Sequence, residues 1–231
     1  MKNKKEFDLS QRIVNRLIMN SFFLKDLGLL NGKMGIVLSL FEYARKTHND
    51  VVYDYADTLF SSILDEIHQE MCFSFCDGLS GIGWGIEYLL QNNFMNGDSV
   101  EICEEIDRLI MEIDTSRIMD MSLDKGFEGL MHYVLYHIQG ASRKNKIPFD
   151  SKYLTDIYNT CKKAESIDKE SLNSIIYLYK LFFEKRFCNN YNYKIENLMS
   201  CLTKYTDIVD LTNYPLCLNN GLAGLLLKLT K

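Results

Sequence analysis

Cys76-Asp77-Gly78-Leu79-Ser80-Gly81-Ile82-Gly83-Trp84-Gly85-Ile86-Glu87-Tyr88-Leu89 is the most informative run in this chain. It starts polar, passes through two glycines three residues apart, and continues apolar on nearly every side. A helix that is apolar all round is a buried one. Glycines three apart at its start share a face. Their missing Cβ atoms allow close packing against a neighbour and a positive φ in the entering chain.

The pattern recurs. Gly32-Lys33-Met34-Gly35, Gly126-Phe127-Glu128-Gly129 and Gly221-Leu222-Ala223-Gly224 each lead into an apolar run. Eight of the 13 glycines fall in these four pairs, so the arrangement is not scatter. The first glycines stand at 32, 78, 126 and 221, giving steps of 46, 48 and 95 residues. The long step predicts a degenerate copy, and Ser171-Leu172-Asn173-Ser174 before Ile175-Ile176-Tyr177 fits, with serine replacing glycine. Five copies of one supersecondary unit make a repeat protein.

Each copy has a second helical stretch upstream. Val52–Met71 places Tyr53, Ala56, Leu59, Phe60, Ile63, Leu64 and Ile67 at helical spacing, and Ser99–Ile113 does the same with Ile102, Ile106, Ile110 and Ile113. The second of these has Asp98 or Ser99 as its expected N-cap. Similar stretches run over Leu9–Phe23, Tyr153–Ala164 and Tyr193–Tyr205. Charges such as Glu101, Glu104, Asp107 and Arg108 lie on one face of these upstream helices. They are therefore the outer layer, and the glycine-led helices the inner one. The polar segments Asn92–Asp98 and Gly140–Ile147 read as loops. Only Pro148 and Pro215 interrupt a chain of 231 residues, which favours helices, and no linker divides it. The expected fold is all-α, an α/α toroid or open arc of about five helical hairpins in a single domain, 1–231. If the hairpins repeat one direction, the inner-helix N-termini share one mouth, whose positive ends suit an anionic group.

Composition narrows the function classes. The net charge of −5 comes with no basic patch, which argues against nucleic acid. No apolar run approaches the roughly 18 residues that cross a bilayer, so no membrane span is expected. The N-terminal residues Met1–Arg12 are polar, without a signal core. Seven cysteines at unpatterned spacings read as reduced thiols in a cytoplasmic protein.

The run from Cys76 to Leu89 resembles the signature of lanthionine synthetase C-like proteins. Asn219-Asn220-Gly221-Leu222-Ala223-Gly224 and Leu30-Asn31-Gly32-Lys33-Met34-Gly35 are similar to further copies. The resemblance implies an α/α toroid and a zinc enzyme of ribosomal peptide maturation, which joins a cysteine thiolate to a dehydrated serine or threonine as a thioether. It also implies seven hairpins, whereas five are visible. A smaller or open ring has free edges that invite a homo-oligomer or a partner protein.

The resemblance implies zinc held by a cysteine two before one repeat glycine and by a Cys-His pair before the next. Cys76 matches the first position, with Phe75 in place of the usual tryptophan. The second is Asp124-Lys125, and the last repeat has Asn219-Asn220. No Cys-His-Gly occurs, and the family's catalytic His-Gly is missing. Catalytic zinc takes three protein ligands and an open position, so Cys76 is the only matched ligand and family-type zinc is not expected.

Several residues carry two readings. Cys76 is a thiolate activated at a helix start or a small buried residue. Asp77 and Asp124 are each a general base or ligand at the mouth, or an N-cap. Asn31, Lys125, Asn219 and Asn220 bind peptide at the mouth or cap helices. His132 and His137 read as core histidines, and Trp84 with Tyr88, Tyr133, Tyr136, Tyr177 and Tyr179 as core aromatics. The favoured function is an accessory of ribosomal, lanthipeptide-type maturation that binds a precursor peptide or its modifying enzyme without family-type zinc. The alternatives are a peptide thioether cyclase with a rearranged site at Cys76, Asp77 and Asp124, and an unrelated α/α-toroid hydrolase or lyase using paired carboxylates.

Overall fold

A computed structural model describes the backbone of residues 2–164, 170–185, 191–198 and 211–230, and the side chains of 7–164, 175–185, 191–196 and 211–230. In chain order the helices are α1 (Lys2–Asn20), α2 (Lys33–Thr47), α3 (Asp50–Asp65), α4 (Leu79–Gln91), α5 (Ser99–Ile102), α6 (Glu104–Met111), α7 (Phe127–Ser142), α8 (Ser151–Ala164), α9 (Glu170–Lys185), α10 (Ile195–Leu198) and α11 (Leu222–Thr230). Short 3-10 turns occur at Ser21–Phe23 and Thr115–Arg117. The described residues contain no strand, as the hairpin pattern expects.

The expected outer stretches are all helical, with adjusted bounds. Ser99–Ile113 is broken at the buried Cys103 into α5 and α6, and Asp98 is its N-cap, accepting from the Val100 amide at 3.1 Å. Gly140 belongs to α7 rather than to the following loop. The degenerate motif lies at the start of α9, and the side chains of Ser171–Ser174 fall outside the described residues. So does most of Tyr193–Tyr205.

The chain forms two compact units, Met1–Ile67 with Ile195–Lys231, and His68–Lys194. In the first, α2 packs on α3 and on α11, which also meets α1. In the second, α4 packs on α7 and α6, α7 on α5 and α9, and α8 on α9. The inner helices are buried along most of their length, with Leu79 to Leu89 all buried in α4 and Phe127 to Ile138 in α7. The outer helix α3 buries only Val52, Ala56, Leu59, Phe60 and Ile63.

One loop precedes all four glycine motifs. The residue after the first glycine donates its amide to a carbonyl seven residues back: Lys33 to Asp26 (2.9 Å), Leu79 to Cys72 (2.9 Å), Phe127 to Asp120 (2.8 Å) and Leu222 to Pro215 (2.8 Å). The next amide follows suit in three copies, with Met34, Ser80 and Ala223 donating to Leu27, Phe73 and Leu216. This geometry corrects two expectations. No described glycine has positive φ, and Gly78 is extended at φ −127 and ψ −162. Glycine stands there because a Cβ would collide with the Cys72 carbonyl of the folded-back loop. The first helix-start amide of every copy, and the second of three, is taken by a main-chain carbonyl, which leaves fewer donors for an anion than the mouth expectation supposes. Gly32, Gly78 and Gly126 are N-caps without a side-chain hydrogen bond.

Both units join neighbouring repeats in one register. Phe75 and Cys76 donate their amides to the Asp124 carbonyl, each at 3.0 Å, and a Cβ on Gly129 would lie 2.5 Å from the Phe75 Cβ. Asn219 donates its amide to the Leu30 carbonyl at 2.9 Å, and a Cβ on Gly35 would lie 2.6 Å from the Leu218 Cγ. Helices α4 and α7 run parallel, as do α2 and α11. Gly83 faces Tyr133, Glu87 meets His137, and Gln91 donates to the Tyr136 carbonyl at 2.9 Å, so α4 and α7 advance together. In the other unit, Gly35 meets Leu218 and Lys46 reaches the Leu229 carbonyl.

Candidate functional site

The residues singled out from sequence fall into two groups, one in each unit. Cys76, Asp77, Asp124 and Lys125 lie together at the starts of α4 and α7, tied by the Asp124 carbonyl. Cys76 is buried, Asp77 half-buried, and Asp124 and Lys125 exposed. The Cys76 thiol donates to Asp77 Oδ2 at 3.1 Å. The Ser74 hydroxyl knits the turn, accepting the Asp77 amide at 3.2 Å and lying 3.3 Å from the exposed Cys72 Sγ.

This setting holds the Cys76 thiol protonated. Burial disfavours the thiolate, the hydrogen bond to Asp77 and the Asp77 charge oppose it further, and Asp124 adds to the effect. The pKa is pushed up to about 12. A neutral thiol beside a carboxylate is not a ready nucleophile, since attack needs the thiolate. Asp77 takes the thiol proton's hydrogen bond instead of capping α4, whose N-cap is Gly78.

In the other unit, Asn31, Asn219 and Asn220 gather around the bond between Asn219 and Leu30. Asn31 and Asn220 are exposed and Asn219 is half-buried. Asn220 sits at φ 54, a left-handed conformation that asparagine tolerates, and its amide donates to Asn219 Oδ1 at 3.3 Å. Cys217 donates to the Asn219 carbonyl at 3.2 Å. This group presents neutral amides on a turn.

The donors in this turn are the sulfurs of Cys72 and Cys76 and the carboxylates of Asp77 and Asp124, with no imidazole among them, and at the place of a Cys-His pair stand Asp124 and Lys125. This set does not fit the nitrogen-and-sulfur site that the resemblance implies. Among the described residues, no three His, Cys, Asp or Glu side chains gather so as to hold a metal.

Two polar networks lie deeper in the same unit. Trp84 Nε1 donates to the Tyr191 hydroxyl at 2.7 Å, and that hydroxyl lies 2.8 Å from His132 Nδ1. An indole only donates. The Tyr191 proton is thus free to point to His132, whose Nδ1 accepts. Burial lowers the His132 pKa to about 3, which keeps the ring neutral. The second network joins Glu87, His137, Asp107 and Tyr133. Both histidines are core residues as expected, but Glu87, Asp107 and Ser74 were not anticipated as functional. The one signal for Glu87 was an acid inside the otherwise apolar run Ile82–Leu90. Of the expected core aromatics, Trp84, Tyr88, Tyr133, Tyr136 and Tyr179 are buried, while Tyr177 is exposed.

No helix among the described residues is long and apolar enough to cross a membrane. The five cysteines with described side chains, at 72, 76, 103, 161 and 217, are thiols rather than disulfides.

The family model described as lanthionine synthetase C-like protein matches residues 24–175, more than half of the chain and parts of both units. Searches of curated proteins and of solved structures return no match.

Proposed function

The chain belongs to the lanthionine synthetase C-like family, and on that premise we propose that it serves ribosomal, lanthipeptide-type peptide maturation as an accessory, binding a precursor peptide or the enzyme that modifies it without family-type zinc. The observation that carries this reading is the set of donors. Cys76 alone matches a family ligand, its thiol donates to Asp77, and Asp124-Lys125 replaces the Cys-His pair. Each unit keeps the hydrogen-bonded loop at two of its motifs. Beside these loops, Asp124 and Lys125 are exposed in the second unit, and Asn31 and Asn220 in the first, so each unit by itself offers charge or amides to a peptide backbone. The whole chain, 1–231, is read as one domain of this family in the cytoplasm, with a homo-oligomer as a further expected assembly.

A second reading is favoured by the juxtaposition of Cys76, Asp77 and Asp124: a peptide thioether cyclase with a rearranged site, in which Asp77 takes the proton of a thiol. Family membership removes the ground for an unrelated toroid hydrolase or lyase.

The test measures zinc per chain by elemental mass spectrometry, beside a Cys76→Ala control, and then incubates the protein with a synthetic peptide carrying one cysteine and one dehydroalanine. Retention of the peptide by the protein, with its free thiol persisting and no zinc, supports the accessory reading. About one zinc per chain, lost in the control, with enzyme-dependent loss of the thiol, replaces it by the cyclase. Absence of zinc, peptide retention and thiol loss together overturns both as direct peptide-handling roles.

A further inference from the structure

The second unit buries a charged cluster that the site at its mouth does not use. His137 on α7 lies between two carboxylates. Its Nδ1 is 2.5 Å from Glu87 Oε1 on α4, and its Nε2 is 2.8 Å from Asp107 Oδ2 on α6. The side chains of His137 and Glu87 are fully buried and that of Asp107 nearly so. The far oxygens are occupied too, since Tyr133 donates to Asp107 Oδ1 at 2.5 Å and Gln91 to Glu87 Oε2 at 2.7 Å. Ionised carboxylates only accept. Two of them facing both ring nitrogens therefore require both nitrogens to donate, which is the imidazolium form. The Tyr133 ring stacks on the imidazole at 5.4 Å, a further favourable setting for a cation.

We propose that His137, held between Glu87 and Asp107, is a proton-dependent lock that fixes α4, α6 and α7 to one another, so that loss of its proton loosens the unit and the register of its mouth. The lock stands apart from the peptide reading, because it rests on the buried geometry alone. It bears on the mouth because α4 and α7 begin directly after Cys76–Asp77 and Asp124–Lys125. A cavity of about 210 Å³ lined by Glu87, Gln91, Asn93, Gly140, Arg143 and Lys144 lies beside the cluster.

The groups facing His137 set the sign. From α4 there is Glu87, from α6 Asp107, from the turn before α6 Cys103, from α7 Tyr133 and Tyr136, and from α8 Tyr153 beside Phe149. Burial keeps the thiol and the three phenols protonated, and the nearby carboxylates reinforce this. Burial opposes the imidazolium, but the hydrogen bonds to Asp107 and Glu87 and their charges outweigh it, and the His137 pKa is pushed up to about 9. Burial also raises the Asp107 pKa, against the pull of His137. A histidine whose folded pKa lies above its unfolded one stabilises fully below the unfolded value, about 6.5, and this contribution is lost as pH rises through the folded value.

The experiment follows urea unfolding of the full chain by the fluorescence of Trp84 between pH 6.5 and 9.5, with His137→Gln beside it. Between pH 6.5 and 9, the unfolding constant of the wild type is expected to rise by up to about tenfold per pH unit, and this component is absent from His137→Gln. Parallel pH slopes in the two proteins overturn the proposal. A second readout does not need the variant to fold. In a nitrogen-15 histidine spectrum of the wild type at pH 7.5, both His137 ring nitrogens carry protons if the lock exists, and a neutral His137 ring overturns it.

Discussion

The main-chain amide of Asn219 donates to the Leu30 carbonyl at 2.9 Å, which places the last repeat beside the first. Each residue stands two before its motif glycine, as do Cys76 and Asp124, whose amide and carbonyl make the same bond at 3.0 Å. The side chains repeat the relation. Leu218 lies over Gly35 as Phe75 lies over Gly129. The last motif is therefore a working neighbour of the first, and its loss is expected to destabilise the N-terminal helices. Leu218→Ala is the narrow form of that expectation. Leu218 is fully buried, and the cavity should cost about 2–5 kcal/mol in urea unfolding. A cost no larger than that of a surface substitution would show that the two repeats do not depend on each other.

Lys33 occupies a motif position that is Leu79, Phe127 and Leu222 in the other copies. It is buried, and its Nζ meets Glu66 Oε1 at 2.6 Å. Desolvating an ammonium offsets much of such a pair, so an apolar substitute of similar volume is often neutral or stabilising. Lys33→Met should leave stability within about 1 kcal/mol of wild type or raise it. Glu66→Gln keeps the ammonium buried with a weaker partner and should cost about 1–3 kcal/mol. The reverse order, measured by denaturant unfolding, would mean that the ion pair stabilises on its own account.

Cys76 should alkylate slowly. Its pKa near 12 predicts an iodoacetamide rate that still rises at pH 10, while the exposed Cys72 reacts first at pH 8. Asp77→Asn removes the charge that opposes the thiolate and supplies an amide N–H that can donate to it, so Cys76 should react several-fold faster at pH 8.5. Peptide mapping by mass spectrometry reads each cysteine separately. A Cys76 rate that levels off below pH 9 would place a thiolate at the mouth and favour the cyclase reading.

Trp84 is the only tryptophan, and its indole N–H is satisfied by Tyr191 alone among the hydrogen bonds described for it. Tyr191→Phe leaves that buried donor without its partner and should cost about 1–3 kcal/mol. The change should also alter the Trp84 emission spectrum of the folded protein. An unchanged spectrum with unchanged stability would indicate that the hydroxyl is not bound to the indole in solution.

The helical hairpins were legible because their signals are local. A 3.6-residue period assigns outer helices, all-round apolarity assigns inner ones, and the glycine pairs mark where the inner helices begin. The purpose of the glycines was only half legible. Close packing was correctly read at Gly35 and Gly129, but positive φ was not found, because each first glycine makes room for a carbonyl of its own loop. That hydrogen-bonded loop has no side-chain signature, so sequence favoured Asp77 and Asn31 as caps where main-chain carbonyls do the work.

By itself the sequence determined the repeat, its inner and outer layers, and the family, since these depend on residues close together in the chain. Only the tertiary structure decided that Asn219 meets Leu30, that the Cys76 thiol keeps its proton and donates a hydrogen bond to Asp77, and that Glu87, Asp107 and His137 share one charged cluster. The physical reason is that a hydrogen bond or a pKa depends on distance and burial: residues 30 to 189 positions apart meet only when their helices pack, and Cys76, next to Asp77 in the chain, is buried only by the fold.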